Sequence, residues 1–158
     1  MAETKLYSNI FDYDESMAMF YYLVDNIEWD DGILSKKNGF TRKAKALLID
    51  EDPIIFNFIN KAINIINNSH IKSINQIKGV YLNYQRNGNE YTPLHSHKNS
   101  IQLVISLGET RHFIVGKNTY ELNSGDVIIF GHSIHGVPKQ LNVNNGRISI
   151  ATFAIPFE

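Results

Sequence analysis

The chain has 158 residues, 43% of them hydrophobic, and contains no cysteine. This length is typical of one domain, and the lack of cysteine excludes a disulfide framework, a cysteine-based zinc finger and a thiol nucleophile. With 15 basic and 16 acidic residues the net charge is −1, which excludes a uniformly basic nucleic-acid-binding surface. We therefore expect residues 1–158 to form a single domain.

No apolar run approaches the ~18 residues that a membrane span needs. The first residues are polar and acidic, without the basic and apolar regions of a secretion signal. The sequence thus predicts an intracellular, cytoplasmic protein with no membrane partner. The 22 Ile, 18 Asn and 11 Lys indicate an AT-rich genome; if that genome is viral, the nucleus or a viral factory is the expected compartment.

Two helices are predicted in the first half of the chain. Residues 14–27 carry apolar side chains at helical spacing, and Asp14 is the expected N-cap. Residues 52–68 form a second helix, with Asp52 as N-cap and Pro53 at the first helical position, where its missing N–H leaves no bond unmade.

A loop bracketed by Gly32 and Gly39 is expected between the helices, and the basic excess of the chain centres there. This basic excess continues past Gly39, and its cationic residues are Lys36, Lys37, Arg42, Lys43 and Lys45. Such a run is more often a solvated loop than a binding site. The alternative is a loop that contacts the phosphates of single-stranded DNA or RNA.

After residue 77 the pattern changes to short segments with a period of two. Turn residues separate eight predicted strands, at residues 79–85, 91–95, 101–107, 111–115, 119–122, 126–130, 134–138 and 147–153. Strands at this spacing favour a sandwich or jelly-roll barrel. The predicted fold is mainly β, a jelly roll with the two N-terminal helices packed on its outer face.

Three of the six histidines form a candidate metal site. His95 and His97 lie two residues apart at the end of a predicted strand, so their side chains point to the same face. His135 lies in another predicted strand, and inward residues of a jelly roll converge inside the barrel. Imidazole is a common metal ligand, so we expect these three to bind iron, zinc, copper or manganese.

Four segments carry recognisable motifs, in this order: NYQRNGNEYTPLHSH (83–97), ISLGETRHF (105–113), ELNSGDVIIFGHSIHGVPK (121–139) and RISIATF (147–153). In order and spacing they resemble the AlkB-like branch of the Fe(II)- and 2-oxoglutarate-dependent dioxygenases, whose fold is the double-stranded β-helix. The segments 27–29 and 39–47 match the family more loosely, so the resemblance spans about residues 9–153.

The resemblance implies an oxidoreductase that converts 2-oxoglutarate to succinate while it oxidises a substrate C–H bond, for example the methyl group of an alkylated nucleobase. The implied ligands of Fe(II) are His95 and His135, with His97 at the position of the family's aspartate. The implied 2-oxoglutarate-binding residues are Asn83, Gln85 and Arg147. Gln85 replaces a family tyrosine, and Phe153 replaces a second arginine.

Two alternatives remain open on the sequence. The substitutions at residues 85, 97 and 153 favour a non-catalytic relative that binds a metal or a ligand. The H-x-H pattern is also similar to that of cupins, which share the double-stranded β-helix and whose usual glutamate would fall near Gln102. A three-histidine site of that type could hold a metal for other chemistry, such as the activation of a zinc-bound water.

Overall fold

The computed structural model describes residues 3–33, 39–48 and 50–154. These residues form two helices, α1 (Tyr13–Asn26) and α2 (Pro53–Ile66), and the following strands: β1 (Lys5–Tyr7), β2 (Asp30–Ile33), β3 (Phe40–Leu47), β4 (Ile77–Gln85), β5 (Thr92–His95), β6 (Ile101–Gly108), β7 (Arg111–Val115), β8 (Asn118–Leu122), β9 (Val127–Phe130), β10 (His135–Val137) and β11 (Arg147–Ala154).

Each helix begins at an aspartate whose carboxylate accepts backbone N–H groups. In α2 the cap is Asp52, as predicted, and the helix ends at Asn67, which adopts a left-handed conformation with φ 48°. In α1 the cap is Asp12, which accepts from the Glu15 amide at 2.7 Å. The prediction of Asp14 was wrong, because both aspartates are good caps and the sequence alone does not decide between them.

Helix α2 is rich in isoleucine, which is not a strong helix former. Its formation follows from docking, since its buried residues all lie on one face: Ile55, Phe58, Ile59, Ala62 and Ile63. Each such aliphatic or aromatic side chain contributes about 1.5–3 kcal/mol when it leaves water. Among the described residues, neither helix is long and apolar enough to cross a bilayer.

Two antiparallel sheets face each other. The major sheet has the strand order β1-β9-β6-β11-β4-β3-β2, and the minor sheet has the order β5-β10-β7-β8. One face of the major sheet packs on α1 and α2, with Leu82, Ile105 and Ile150 at the centre of that core. The other face meets the minor sheet through Val104, Phe130 and Ala151.

This arrangement is the predicted double-stranded β-helix with two helices on its outer face. All eight predicted strands are present, with ends within two residues of those expected. The interpretation of the basic run as a loop is wrong for Arg42, Lys43 and Lys45, because residues 40–47 form β3, which pairs with β2 at one edge of the major sheet. These segments are rich in charged residues and lack the alternation of apolar and polar residues by which a strand is recognised in a sequence.

Candidate metal centre

A cavity of about 260 Å³ lies between the two sheets. Successive side chains of a strand point to opposite faces of its sheet, so every second side chain of the strands that border the cavity points into it. The major sheet contributes Arg42, Tyr81, Asn83, Gln102, Val104, Arg147, Ser149, Ala151 and Phe153, and the minor sheet with its adjoining residues contributes Thr92, His95, His97, Phe113, His135, Gly136 and Val137.

The three predicted histidines meet at this cavity. Strands β5 and β10 are paired so that His135 lies opposite His95, and their ring centroids are 4.3 Å apart. The His97 ring lies 4.8 Å from the His95 ring and 5.5 Å from the His135 ring. One nitrogen of each ring can be chosen so that all three lie within 4.8 Å of one another.

Backbone carbonyls orient two of the rings. His95 donates from Nδ1 to the Pro93 carbonyl at 2.7 Å, and His135 donates from Nδ1 to the Ser133 carbonyl at 2.9 Å. A carbonyl can only accept, so Nδ1 carries the proton and Nε2 keeps its lone pair. This is the state in which a histidine binds a metal, with its second nitrogen held by a hydrogen bond.

Burial disfavours the charged forms of His97 and His135. It lowers the pKa of His135 to about 4, an effect that the Ser133 carbonyl opposes and the neighbouring histidines reinforce. Burial also lowers the pKa of His97, with a further contribution from His95. A proton therefore competes weakly with a metal ion for the ring nitrogens of His97 and His135.

The donor set fits a first-row metal ion. Bonds of about 2.0–2.1 Å to three imidazoles require nitrogen atoms about 3–3.5 Å apart, so the rings must close slightly from their present separation. His97 can do so, because no hydrogen bond to its ring is found among the described residues. Outside the cluster its ring contacts the Phe153 ring in a T-shaped arrangement, with the two centroids 5.0 Å apart.

Arg147 is a buried cation without a counter-charge. It is 1% exposed, and no carboxylate of the described residues forms a salt bridge with it. Nε donates to Ser106 Oγ at 2.9 Å and Nη1 to Gln85 Oε1 at 3.4 Å, whereas Nη2 is buried with no partner. Burial lowers the pKa of Arg147 to about 9, and nearby Arg111 adds to the shift. An anion entering the cavity would satisfy Nη2 and compensate the charge, so a carboxylate fits here.

The other two residues implied for 2-oxoglutarate lie on β4 with their side chains on the inner face. Asn83 lines the cavity, and its Oδ1 accepts from Arg42 Nε at 2.6 Å. Gln85 is fully buried, donating to Thr92 Oγ1 at 2.8 Å while it accepts from Arg147. Both residues therefore lie on the cavity side of the sheet. Asn83 lines the cavity, whereas Gln85 contacts Arg147 and does not line the cavity itself.

The five basic residues do not act as one group. Arg42, Lys43 and Lys45 lie on strand β3 and not in a loop, so Arg42 faces the cavity while the two lysines point to the opposite face. Lys43 pairs with Asp31 at 2.8 Å and Lys45 with Asp30 at 3.5 Å. Lys36 and Lys37 lie outside the described residues.

Gln102, which the similarity to cupins places at the position of their usual glutamate, is also a cavity residue. It is 2% exposed, and its Nε2 lies 3.3 Å from His135 Nε2. Gln102 and Ser106 are the two polar side chains of strand β6, and both lie on its inner face, which is a second sequence signal for a role in the cavity. Three further histidines (His70, His112 and His132) are not part of the cluster.

Several proteins of known structure have a fold similar to that of this chain. A prolyl-4-hydroxylase from Pseudomonas putida matches with a TM-score of 0.66 at 12% identity, over 96% of this chain and 92% of that one. HygX from Streptomyces hygroscopicus, solved with nickel and 2-oxoglutarate bound, matches with a TM-score of 0.69 at 10% identity, over 96% and 82%. A predicted oxalate decarboxylase from Thermotoga maritima matches with a TM-score of 0.55 at 13% identity, over 83% and 95%.

At these identities the similarity shows the fold alone, the double-stranded β-helix common to 2-oxoglutarate oxygenases and cupins. No family model matches the chain, and no curated protein is similar to it.

Proposed function

We propose that this protein is an Fe(II)- and 2-oxoglutarate-dependent oxygenase. The observation that carries the proposal is the combination of a three-histidine cluster with an uncompensated arginine, Arg147, on the opposite wall of the same cavity. A keto acid that chelates a metal through one end and carries a carboxylate at the other end needs both features. The fold shared with HygX and a prolyl-4-hydroxylase supports the same assignment.

In this proposal His95, His97 and His135 hold the iron, which supplies the activation of dioxygen when it is bound. Arg147 binds the distal carboxylate of 2-oxoglutarate through Nη2 and is itself held by Ser106 and Gln85. Asn83 is positioned by Arg42 to contact the cosubstrate from the side. Phe113, Val104 and Val137 line the remaining wall with apolar surface and keep water from the reacting end.

The test is succinate formation from 2-oxoglutarate by the Fe(II)-loaded protein in air. We expect succinate in the native protein, less with an unreactive keto-acid analogue as competitor, and none in a His135→Ala variant. The proposal is wrong if 2-oxoglutarate neither binds the metal-loaded protein nor yields succinate.

For the substrate we propose an N-alkylated base in single-stranded nucleic acid, because the order of the motifs resembles the AlkB-like branch. Of the two described cations that line the cavity, Arg147 is assigned to the keto acid, so Arg42 remains to contact one phosphate next to the base. Flipping a base out of a duplex requires extra contacts, so a single cation favours a single-stranded substrate. Loss of the methyl group from a methylated oligonucleotide, measured by mass spectrometry, is the expected result. Unchanged mass in a reaction that produces succinate would exclude this substrate.

A second candidate is a cupin-like metal centre with other chemistry. It is favoured by a cluster of three histidines that no carboxylate of the described residues joins, and by the amide of Gln102 beside His135. In that case elemental analysis would find a metal in the purified protein, and 2-oxoglutarate would not bind to it.

A further inference from the structure

A second arginine, Arg111, is buried without a counter-charge, as Arg147 is. It begins strand β7, and 0% of its surface is exposed. Its guanidinium donates to four neutral acceptors at 2.8–3.1 Å, which are the carbonyls of Asn87, Glu90 and Pro138 and the side-chain oxygen of Gln140. The salt bridges found in the described part of the chain do not include it. These bonds join the segment before β5 to the segment after β10, but they leave the charge uncompensated.

The strand pairing brings Arg111 and Arg147 to the same end of the jelly roll. Arg147 begins β11 and lies opposite Gly108, the last residue of β6, and β7 begins with Arg111 after a short turn. Arg147 also lies opposite Gln85, and Arg111 binds the carbonyl of Asn87, which is close to Gln85 in the chain. Burial lowers the pKa of Arg147, and the charge of Arg111 lowers it further.

The acid that acts on Arg111 is shared with another arginine. Burial lowers the pKa of Arg111, and the charge of Glu90 opposes that effect. The Glu90 carboxylate is already paired with Arg86, at 2.6 Å between Oε2 and Nη2. The described residues that line the cavity include no aspartate or glutamate. This end of the interior therefore has an excess of positive charge, which attracts an anion.

We propose that Arg111 is a second cation of the anion site, which does not touch the bound anion but raises the affinity of Arg147 for it through its charge. The inference rests on the proposed function, in which that anion is the distal carboxylate of 2-oxoglutarate. A charge inside a protein acts over several ångströms more strongly than in water, because less solvent screens it. Arg111 is thus a specificity residue that favours keto acids with a distal carboxylate over those without one.

Gln140→Glu tests the charge of Arg111 without removing the arginine. Gln140 Oε1 accepts from Arg111 Nε at 3.1 Å and from the His112 amide at 2.7 Å. A glutamate oxygen can keep both bonds while its charge offsets that of the guanidinium. We expect the melting temperature to stay the same or rise, because a buried cation gains a counter-charge, and we expect anions to bind more weakly. A purely structural role of Arg111 would not weaken anion binding.

Calorimetry on the Mn(II)-loaded protein compares 2-oxoglutarate with 2-oxopentanoate, which has the same chelating end and a methyl group in place of the distal carboxylate. We expect Gln140→Glu to raise the dissociation constant of 2-oxoglutarate on the order of 10-fold, the effect of one charge about 10 Å away at an effective dielectric of about 20. The dissociation constant of 2-oxopentanoate should change much less.

A second measurement needs neither metal nor keto acid. Sulfate is compared with chloride at equal ionic strength, and the melting temperature of the chelator-treated protein is recorded in each salt. We expect sulfate to raise the melting temperature of the native protein more than that of Gln140→Glu, because a doubly charged anion depends more strongly on the two cations.

Gln76→Glu is the matched control. Gln76 Oε1 also accepts two backbone amides, those of Lys72 and Ser73. It precedes β4, whereas Arg111 binds the Asn87 carbonyl beyond the other end of that nine-residue strand, about 30 Å away. The same added charge there should leave the affinities for both keto acids native.

Four results would overturn the inference. They are a native affinity of Gln140→Glu for 2-oxoglutarate, an equal loss of affinity for both keto acids, an equal effect of Gln76→Glu, and a lower melting temperature of Gln140→Glu, which would mean that the cation was already compensated. Failure of the proposed function is distinct: if neither keto acid binds the native protein, the oxygenase assignment is wrong and the sulfate comparison decides the role of Arg111. An equal effect of sulfate on both proteins, or none, then overturns it.

Discussion

At the scale of single residues, His97 sets the charge of the proposed metal centre. It stands where the family that the chain resembles has aspartate, and burial with a neighbouring histidine lowers its pKa and keeps it neutral. Three neutral ligands leave the full double charge on Fe(II), and an anionic ligand favours the more oxidised metal that oxygen activation requires. We therefore predict slow succinate formation in the native protein and faster formation in His97→Asp, measured side by side with saturating Fe(II).

Aspartate is shorter than histidine, and His97 packs on Phe153 at 5.0 Å, so the exchange leaves a gap beside that ring. His97→Asn is the control, since it leaves a similar gap without adding charge. If the native protein turns over rapidly and the Asp variant is inactive, a neutral imidazole is the working ligand and the charge argument is wrong.

Substitution of Arg147 should weaken the binding of 2-oxoglutarate without lowering the stability of the ligand-free protein. Its guanidinium is buried with Nη2 unpaired, so Arg147→Met removes an uncompensated charge from the interior. We predict that 2-oxoglutarate affinity falls about 10- to 100-fold, as expected when a charged hydrogen bond is lost, while the melting temperature of the ligand-free protein does not fall. Calorimetry and thermal melting measure the two effects. An unchanged 2-oxoglutarate affinity would show that the keto acid binds elsewhere.

At the scale of elements, strand β3 separates neighbouring cations by its alternation. Arg42 faces the cavity, whereas Lys43 and Lys45 lie on the other face with aspartate partners from β2. If single-stranded DNA binds at the cavity, Arg42→Ala removes one phosphate contact. We predict that the magnitude of the slope of log affinity against log salt concentration then falls by about one unit. Lys43→Ala and Lys45→Ala should leave that slope unchanged. Equal effects of all three substitutions would place the nucleic acid along the edge of the sheet.

The same strand shows how far the sequence predicts this fold. Strands β4 to β11 have apolar residues alternating with polar ones or running through a buried core, and turn residues mark their ends. Strands β2 and β3 form one edge of the major sheet, where a charged face meets solvent and leaves no apolar pattern to recognise. Strand β1 has three residues, too few for any periodicity.

The candidate site was predictable where it depends on spacing and not where it depends on register. His95 and His97 share a face by alternation alone, and the family resemblance pointed to Arg147. Gln102 and Arg42 reach the cavity because β6 pairs with β11 and β3 with β4 in particular registers. Those pairings join residues far apart in the chain, so no local pattern contains them.

At the scale of the whole molecule, the proposed ligands would join the two sheets. The histidines lie on or next to β5 and β10 of the minor sheet, whereas Arg147 lies on β11 of the major sheet. A metal ion together with 2-oxoglutarate would therefore connect walls that now meet through side-chain packing. Ligands that bind the folded state alone stabilise it by an amount that grows with the logarithm of their excess over the dissociation constant.

We predict that Fe(II) or Mn(II) with 2-oxoglutarate raises the melting temperature more than the metal alone. At a 100-fold excess of ligand over its dissociation constant the stabilisation is about 2.7 kcal/mol, which corresponds to about 5–10 °C for a chain of this size. A chelator should reverse the shift. His135→Ala should remove the effect of the metal and with it the effect of the keto acid. Arg147→Met should keep the effect of the metal and reduce that of the keto acid to about half or less, as a 10- to 100-fold lower affinity implies. An equal shift by 2-oxoglutarate in His135→Ala would mean that the keto acid binds without the metal, and the two walls of the cavity would then act independently.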